Sequence, residues 1–123
     1  MKTKYKNISV IELENYFNSK KDFILLDVRE KFEFNIASII NSLHIPMMEI
    51  PNRINELSKN KDIVIICKSG VRSAKVCEYL YDNGFLNLKN VSGGINAWSK
   101  EIDGTILPSF GSTTFVDILT SMN

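Results

Sequence analysis

The sequence predicts an α/β domain built on a parallel sheet, and three observations carry that reading. Short apolar runs rich in β-branched residues, Phe23–Val28 and Ile63–Cys67 above all, have the length and composition of strands buried on both faces. Segments with apolar residues at helical spacing alternate with them. Asp27 lies near the end of one run and Cys67 closes the other, and sheets of this kind put their chemistry at the carboxyl ends of strands.

Taken in order, Ile8 belongs to a short first strand, and Ser9 with Glu12 forms a capping box ahead of Leu13, Tyr16 and Phe17. The spacing predicts a helix over about Ser9–Asn18. Phe23–Val28 follows as a central strand, then an irregular stretch. Leu43–Ile45 is a further strand ended by Pro46, and Ile50, Ile54 and Leu57 predict a helix from Glu49 to Leu57 with Pro51 in its first turn. Ile63–Cys67 is the strongest strand signal. Ala74, Cys77 and Leu80/Tyr81 then line one face of a helix over Ser73–Asn83, which Gly84 stops. Leu88–Val91 is a strand, Gly93-Gly94 a turn with close helix approach, and Ile95, Trp98 and Ile102 share a helical face. Residues 1–103 form one domain, and 104–123 a tail in which Phe115, Ile118 and Leu119 predict about a turn and a half of helix.

Length and composition bound the function. The 123 residues, 44% hydrophobic and 24% charged, suit one soluble globular domain. A net charge of +1 lacks the broad basic footprint of a nucleic-acid binder. No apolar run approaches the ~18 residues of a membrane span, and no apolar segment follows the basic start as in a signal peptide. Two cysteines, Cys67 and Cys77, fit reduced thiols better than a disulfide framework, so a cytoplasmic location is expected. Two cysteines and the single His44 are too few for a zinc site.

The chemistry concentrates in C-K-S-G-V-R-S, Cys67 to Ser73, between the strongest strand and a helix. Such a loop turns successive backbone N–H groups inward, Gly70 permits the required backbone conformation, and the helix start adds partial positive charge. A thiol there is favoured as thiolate, which makes Cys67 the candidate nucleophile. Lys68, Ser69, Gly70, Val71, Arg72 and Ser73 are the candidate anion cradle, with Arg72 able to bind oxygens through its planar fork. Asp27 and Arg29 are read as supporting the loop from behind, Asp27 accepting N–H bonds and Arg29 holding a carboxylate. Cys77 and Trp98 are read as core, and His44 as structural.

D-V-R-E (Asp27–Glu30), E-F (Glu33-Phe34), H-I-P (His44–Pro46), C-K-S-G-V-R-S, G-F (Gly84-Phe85) and G-G-I-N-A-W (Gly93–Trp98) in this order resemble the rhodanese-like sulfurtransferase domains, from about Ile8 to Ile102. The resemblance implies a five-stranded parallel sheet flanked by helices on both faces, with the cysteine loop at its carboxyl edge. S-L-H-I-P, the cysteine loop and A-W-S-K-E-I-D followed by L-P-S-F look most like the rhodanese domain attached to MoeB/ThiF-type adenylyltransferases, which supplies sulfur to a ubiquitin-like carrier protein. Ala37-Ser38-Ile39 stands where the family has G-H-I, and Asn41 where it has glycine, which concerns local turn geometry more than chemistry.

By resemblance, Cys67 takes a sulfane sulfur from thiosulfate or a persulfide or polysulfide donor and passes it to a thiophilic acceptor, with a sulfur-carrier protein one such acceptor. No metal or organic cofactor is implied, and a monomer is expected. Two rival readings stand beside this one. A Cdc25-like phosphatase or arsenate reductase places five residues between cysteine and arginine, whereas here Lys68, Ser69, Gly70 and Val71 intervene. A noncatalytic interaction module of the same fold commonly lacks the cysteine.

Overall fold

The computed structural model describes residues 3–104. Five strands, β1 (Lys6–Ile8), β2 (Phe23–Asp27), β3 (Leu43–His44), β4 (Asp62–Ile66) and β5 (Leu88–Val91), form one sheet in the order β1-β5-β4-β2-β3. Every pairing is parallel. All carboxyl ends therefore point to one edge, and β4, at the centre, delivers Cys67 to it.

The period of two along β4 divides the core. Ile63 and Ile65 face one side with Leu26, Val76, Cys77, Leu80 and Phe85, while Val64 and Ile66 face the other with Leu13, Leu25, Val91, Ile95 and Trp98. Helix α4 (Val71–Asp82) covers the first face; α1 (Val10–Asn18) and α5 (Gly94–Glu101) cover the second. Ser9 caps α1 with both halves of the capping box formed. Trp98 packs edge-on against Phe17, with ring centroids 6.0 Å apart. No helix among the described residues is long and apolar enough to cross a membrane.

Three expectations are corrected. The stretch read as irregular contains a helix, α2 (Lys31–Ile36), opened by the Glu33 side chain accepting the Glu30 N–H at 3.1 Å. The continuous helix over Glu49–Leu57 is instead a four-residue helix α3 (Ile50–Arg53) between tighter turns at Met47–Glu49 and Ile54–Glu56. Pro51, which has no N–H to give, sits in its first turn, and Arg53 braces the segment through Glu49 and Glu56. Helix α4 starts at Val71, two residues before the predicted start at Ser73. The expected turn at Phe115, Ile118 and Leu119 lies outside the described residues.

Candidate active site

Cys67 stands just past the end of β4, only 1% exposed. The chain then turns sharply, because Gly70 adopts a left-handed conformation (φ +103°) as the residue preceding α4. A Cβ at Gly70 would also lie 3.3 Å from the Val91 carbonyl oxygen, so both conformation and space call for glycine. The turn brings the Gly70 N–H to 3.1 Å from the Cys67 Sγ, and the Ser73 Oγ to 3.2 Å. Two hydrogen-bonding groups of the loop thus converge on one sulfur.

The loop is held from behind by β5 and α5. The N–H of Ile95 donates to the Cys67 carbonyl at 2.9 Å and that of Asn96 to the Lys68 carbonyl at 3.1 Å. The first turn of α5 therefore spends its free N–H groups on the loop itself. On β5, Asn90 donates through Nδ2 to the Gly70 carbonyl (3.2 Å) and to Asn7 Oδ1 (3.1 Å), and its Oδ1 accepts the Ser73 hydroxyl. Asn90 and Ser73 are both buried. A polar residue in a core strand is thereby satisfied and clamps both ends of the turn.

Arg72 is engaged by the carboxylate of Glu33. Its two Nη atoms donate to the two carboxylate oxygens of Glu33 at 2.7 and 2.9 Å, a bidentate pair joining α4 to α2. Hydrogen bonding to that carboxylate raises the guanidinium pKa, with burial opposing and the negative charge available at Cys67 adding to the rise. Lys68 is half-buried, while Ser69 and Val71 are exposed on the outer side of the turn.

Asp27 and Arg29 pair with each other at the end of β2, at 2.8–3.1 Å, and both are almost wholly buried. Asp27 also accepts the Arg29 N–H at 3.0 Å, and Arg29 Nη2 donates to the Ala37 carbonyl at 2.8 Å. The carboxylate that Arg29 holds is thus Asp27, and together they tether the end of α2, which carries Glu33. His44 donates from Nε2 to the Arg29 carbonyl at 2.7 Å and stacks on Phe34, with centroids 4.3 Å apart. Cys77 lies in the core, where burial, reinforced by Cys67, pushes its thiol up to about 12.

Glu33, Asn90 and Asn7 were missed as site residues. Asn90, polar within the otherwise strand-like L-K-N-V run, was the available signal. Among the described residues no group of three or more His, Cys, Asp or Glu is arranged to hold a metal ion.

A parallel five-stranded sheet with a cysteine turn at its carboxyl edge is the architecture of a known class. Residues 9–101 match the rhodanese-like domain family, and the chain belongs to it. A sulfurtransferase of Allochromatium vinosum is 40% identical over 80 residues, covering 65% of this chain and 75% of that one. The adenylyltransferase and sulfurtransferase UBA4 of Debaryomyces hansenii is 37% identical over 110 residues, covering 80% of this chain and 25% of that one. The crystal structure of a rhodanese-like domain protein from Staphylococcus aureus superposes with a TM-score of 0.74 at 42% identity, covering 79% of this chain and 94% of that one.

Proposed function

We propose that the protein is a sulfurtransferase that carries sulfane sulfur as a persulfide on Cys67. The observation that supports this best is the convergence of the Gly70 N–H and the Ser73 hydroxyl on the Cys67 sulfur. The Gly70 N–H donates to that sulfur, and the Ser73 hydroxyl, whose proton goes to Asn90 while Cys67 is a thiol, can turn its proton toward the thiolate that attacks the donor.

The cycle is a double displacement. The Cys67 thiolate attacks the outer sulfur of thiosulfate or of a persulfide. A new S–S bond forms at Cys67 and the donor's S–S bond breaks, its electron pair leaving with sulfite or with the donor thiolate. An acceptor nucleophile then attacks the outer sulfur of the persulfide and returns Cys67 to thiolate. Each step exchanges one S–S bond for another bond to sulfur, so no external oxidant or reductant enters. A sulfur-carrier protein is an acceptor of the right chemistry, a reading supported by the likeness to a protein named as both adenylyltransferase and sulfurtransferase.

Four residues between Cys67 and Arg72 make a turn too short for the phosphatase arrangement. The test is the intact mass of reduced protein and of Cys67→Ser after exposure to thiosulfate or an alkyl persulfide, followed by cyanide. A gain of one sulfur that requires Cys67 and is discharged as thiocyanate is expected. No gain with either donor overturns the proposal and favours a noncatalytic module.

A further inference from the structure

The cysteine loop contains two cations, Lys68 and Arg72. A site built to draw in thiosulfate, a dianion, against a thiolate would have use for both positive charges. The structure commits one of them elsewhere. Both Nη atoms of Arg72 lie on the Glu33 carboxylate at 2.7 and 2.9 Å, and Glu33 is only 5% exposed. The carboxylate is shielded from solvent while the Arg72 side chain is 27% exposed, and at a distance the two charges of the pair cancel. The Glu30 N–H fixes Glu33 from its own helix at 3.1 Å, so the carboxylate is held in place independently of Arg72. The side chains adjoining the pair along the chain are apolar and open to solvent: Phe32 beside Glu33 and Val71 beside Arg72, 51% and 62% exposed.

From this we infer that Glu33 is a specificity-determining residue, which neutralises Arg72 and biases the donor site away from thiosulfate toward organic persulfides, R–S–SH, of low charge. The inference rests on the sulfur-transfer reading. For a persulfide, the Cys67 thiolate takes the outer sulfur, the S–S bond of the donor breaks, and its electron pair leaves on the R–S sulfur with the proton. The donor brings at most one negative charge to the thiolate, where thiosulfate brings two. Glu33 acts through Arg72, and is a positioning residue in that sense.

The test follows the rate of Cys67 loading by intact mass against donor concentration, with thiosulfate and with 2-hydroxyethyl persulfide. Glu33→Gln keeps an acceptor for Arg72 while deleting the charge. It should lower the half-saturating thiosulfate concentration at least ~5-fold and change that for the persulfide much less, as expected from one uncancelled cation acting on a dianion. Glu33→Asp, which retains the charge, should return the thiosulfate value toward wild type. If Glu33 merely aims Arg72 at thiosulfate, Glu33→Gln raises the half-saturating concentration or leaves it unchanged, and the inference fails. Should Glu33→Gln not fold, Arg72→Gln supplies the opposite sign: thiosulfate loading weakened by a larger factor than persulfide loading, with equal factors overturning the inference. Wild-type protein that loads from neither donor sinks the sulfur-transfer reading itself, an outcome distinct from normal loading without the predicted selectivity.

Discussion

Gly94 lies so close beneath Cys67 that a Cβ on it would stand 2.3 Å from the Cys67 carbonyl oxygen and 2.6 Å from that of Lys68. The contact is backbone against backbone, with no flexible side chain to yield. Gly94 also has a φ of +56°, in the left-handed region. Gly94→Ala should therefore destabilise the fold by about 2–4 kcal/mol and push the cysteine turn off its two N–H anchors from α5. Urea denaturation reads the first effect and the rate of sulfur loading the second; a variant as stable and as fast as wild type would show that the close approach is not required.

Ser73 has one hydroxyl proton and two acceptors for it. In the thiol form the Ser73 proton goes to Asn90, whose amide is oriented by the Gly70 carbonyl, and the thiol donates to Ser73 Oγ. Once Cys67 is a thiolate or persulfide, the hydroxyl can turn toward it. Ser73→Ala removes that donor and strands the buried Asn90 oxygen, with an expected cost of about 1–3 kcal/mol and slower sulfur loading. Asn90→Ala should slow loading through the loss of orientation even though Ser73 is retained. Loading rates at matched fractions of folded protein separate these effects.

Arg29 neutralises a carboxylate that has no access to water, since both members of the Asp27–Arg29 pair are 1% exposed at the side chain. Arg29→Met leaves Asp27 buried and uncompensated, and should cost about 3–5 kcal/mol in chemical denaturation. Arg29→Lys should recover only part of it, because one ammonium cannot reproduce the fork that reaches Asp27 and the Ala37 carbonyl together.

Cys77 gives the fold an alkaline limit. Its thiol is raised from 9.0 to about 12 by burial first and by Cys67 second, so the unfolded chain releases this proton at lower pH than the folded one. The stability from the neutral buried thiol is complete below pH 9.0 and is lost as pH rises toward about 12. Cys77→Ala, although it loosens the core at neutral pH, should flatten the fall of the denaturation midpoint across this window. In the native protein at neutral pH, Cys77 should stay unlabelled by iodoacetamide until denaturant is added.

What was legible in the sequence follows from what each segment had to satisfy locally. The β4 run, Gly70 and the α4 face were read because an unbroken apolar strand, a permissive residue and a helical period all lie within twenty residues. Helix α2 was lost because Phe32, Phe34 and Ile36 alternate as in a strand, and its helicity depends on the Glu30–Glu33 cap and the tether to Arg29. Arg72 was singled out as a cation of the loop, but its pairing with Glu33 spans 39 positions, beyond any local pattern. The clamp of Asn90 on Gly70 and Asn7 was hidden for the same reason.

The anchoring of Cys67 and Lys68 by Ile95 and Asn96 also bears on how the protein is made. Cys67 leaves the ribosome well before Asn90, Ile95 and Asn96, which hold its turn, and β1 must wait for β5, with Lys6 pairing to Lys89 and Ile8 to Val91. Non-local closures of this kind come late in folding. A nascent chain therefore carries the thiol without the backbone that holds its turn, and the proposed competence to hold sulfur should arrive only when α5 docks.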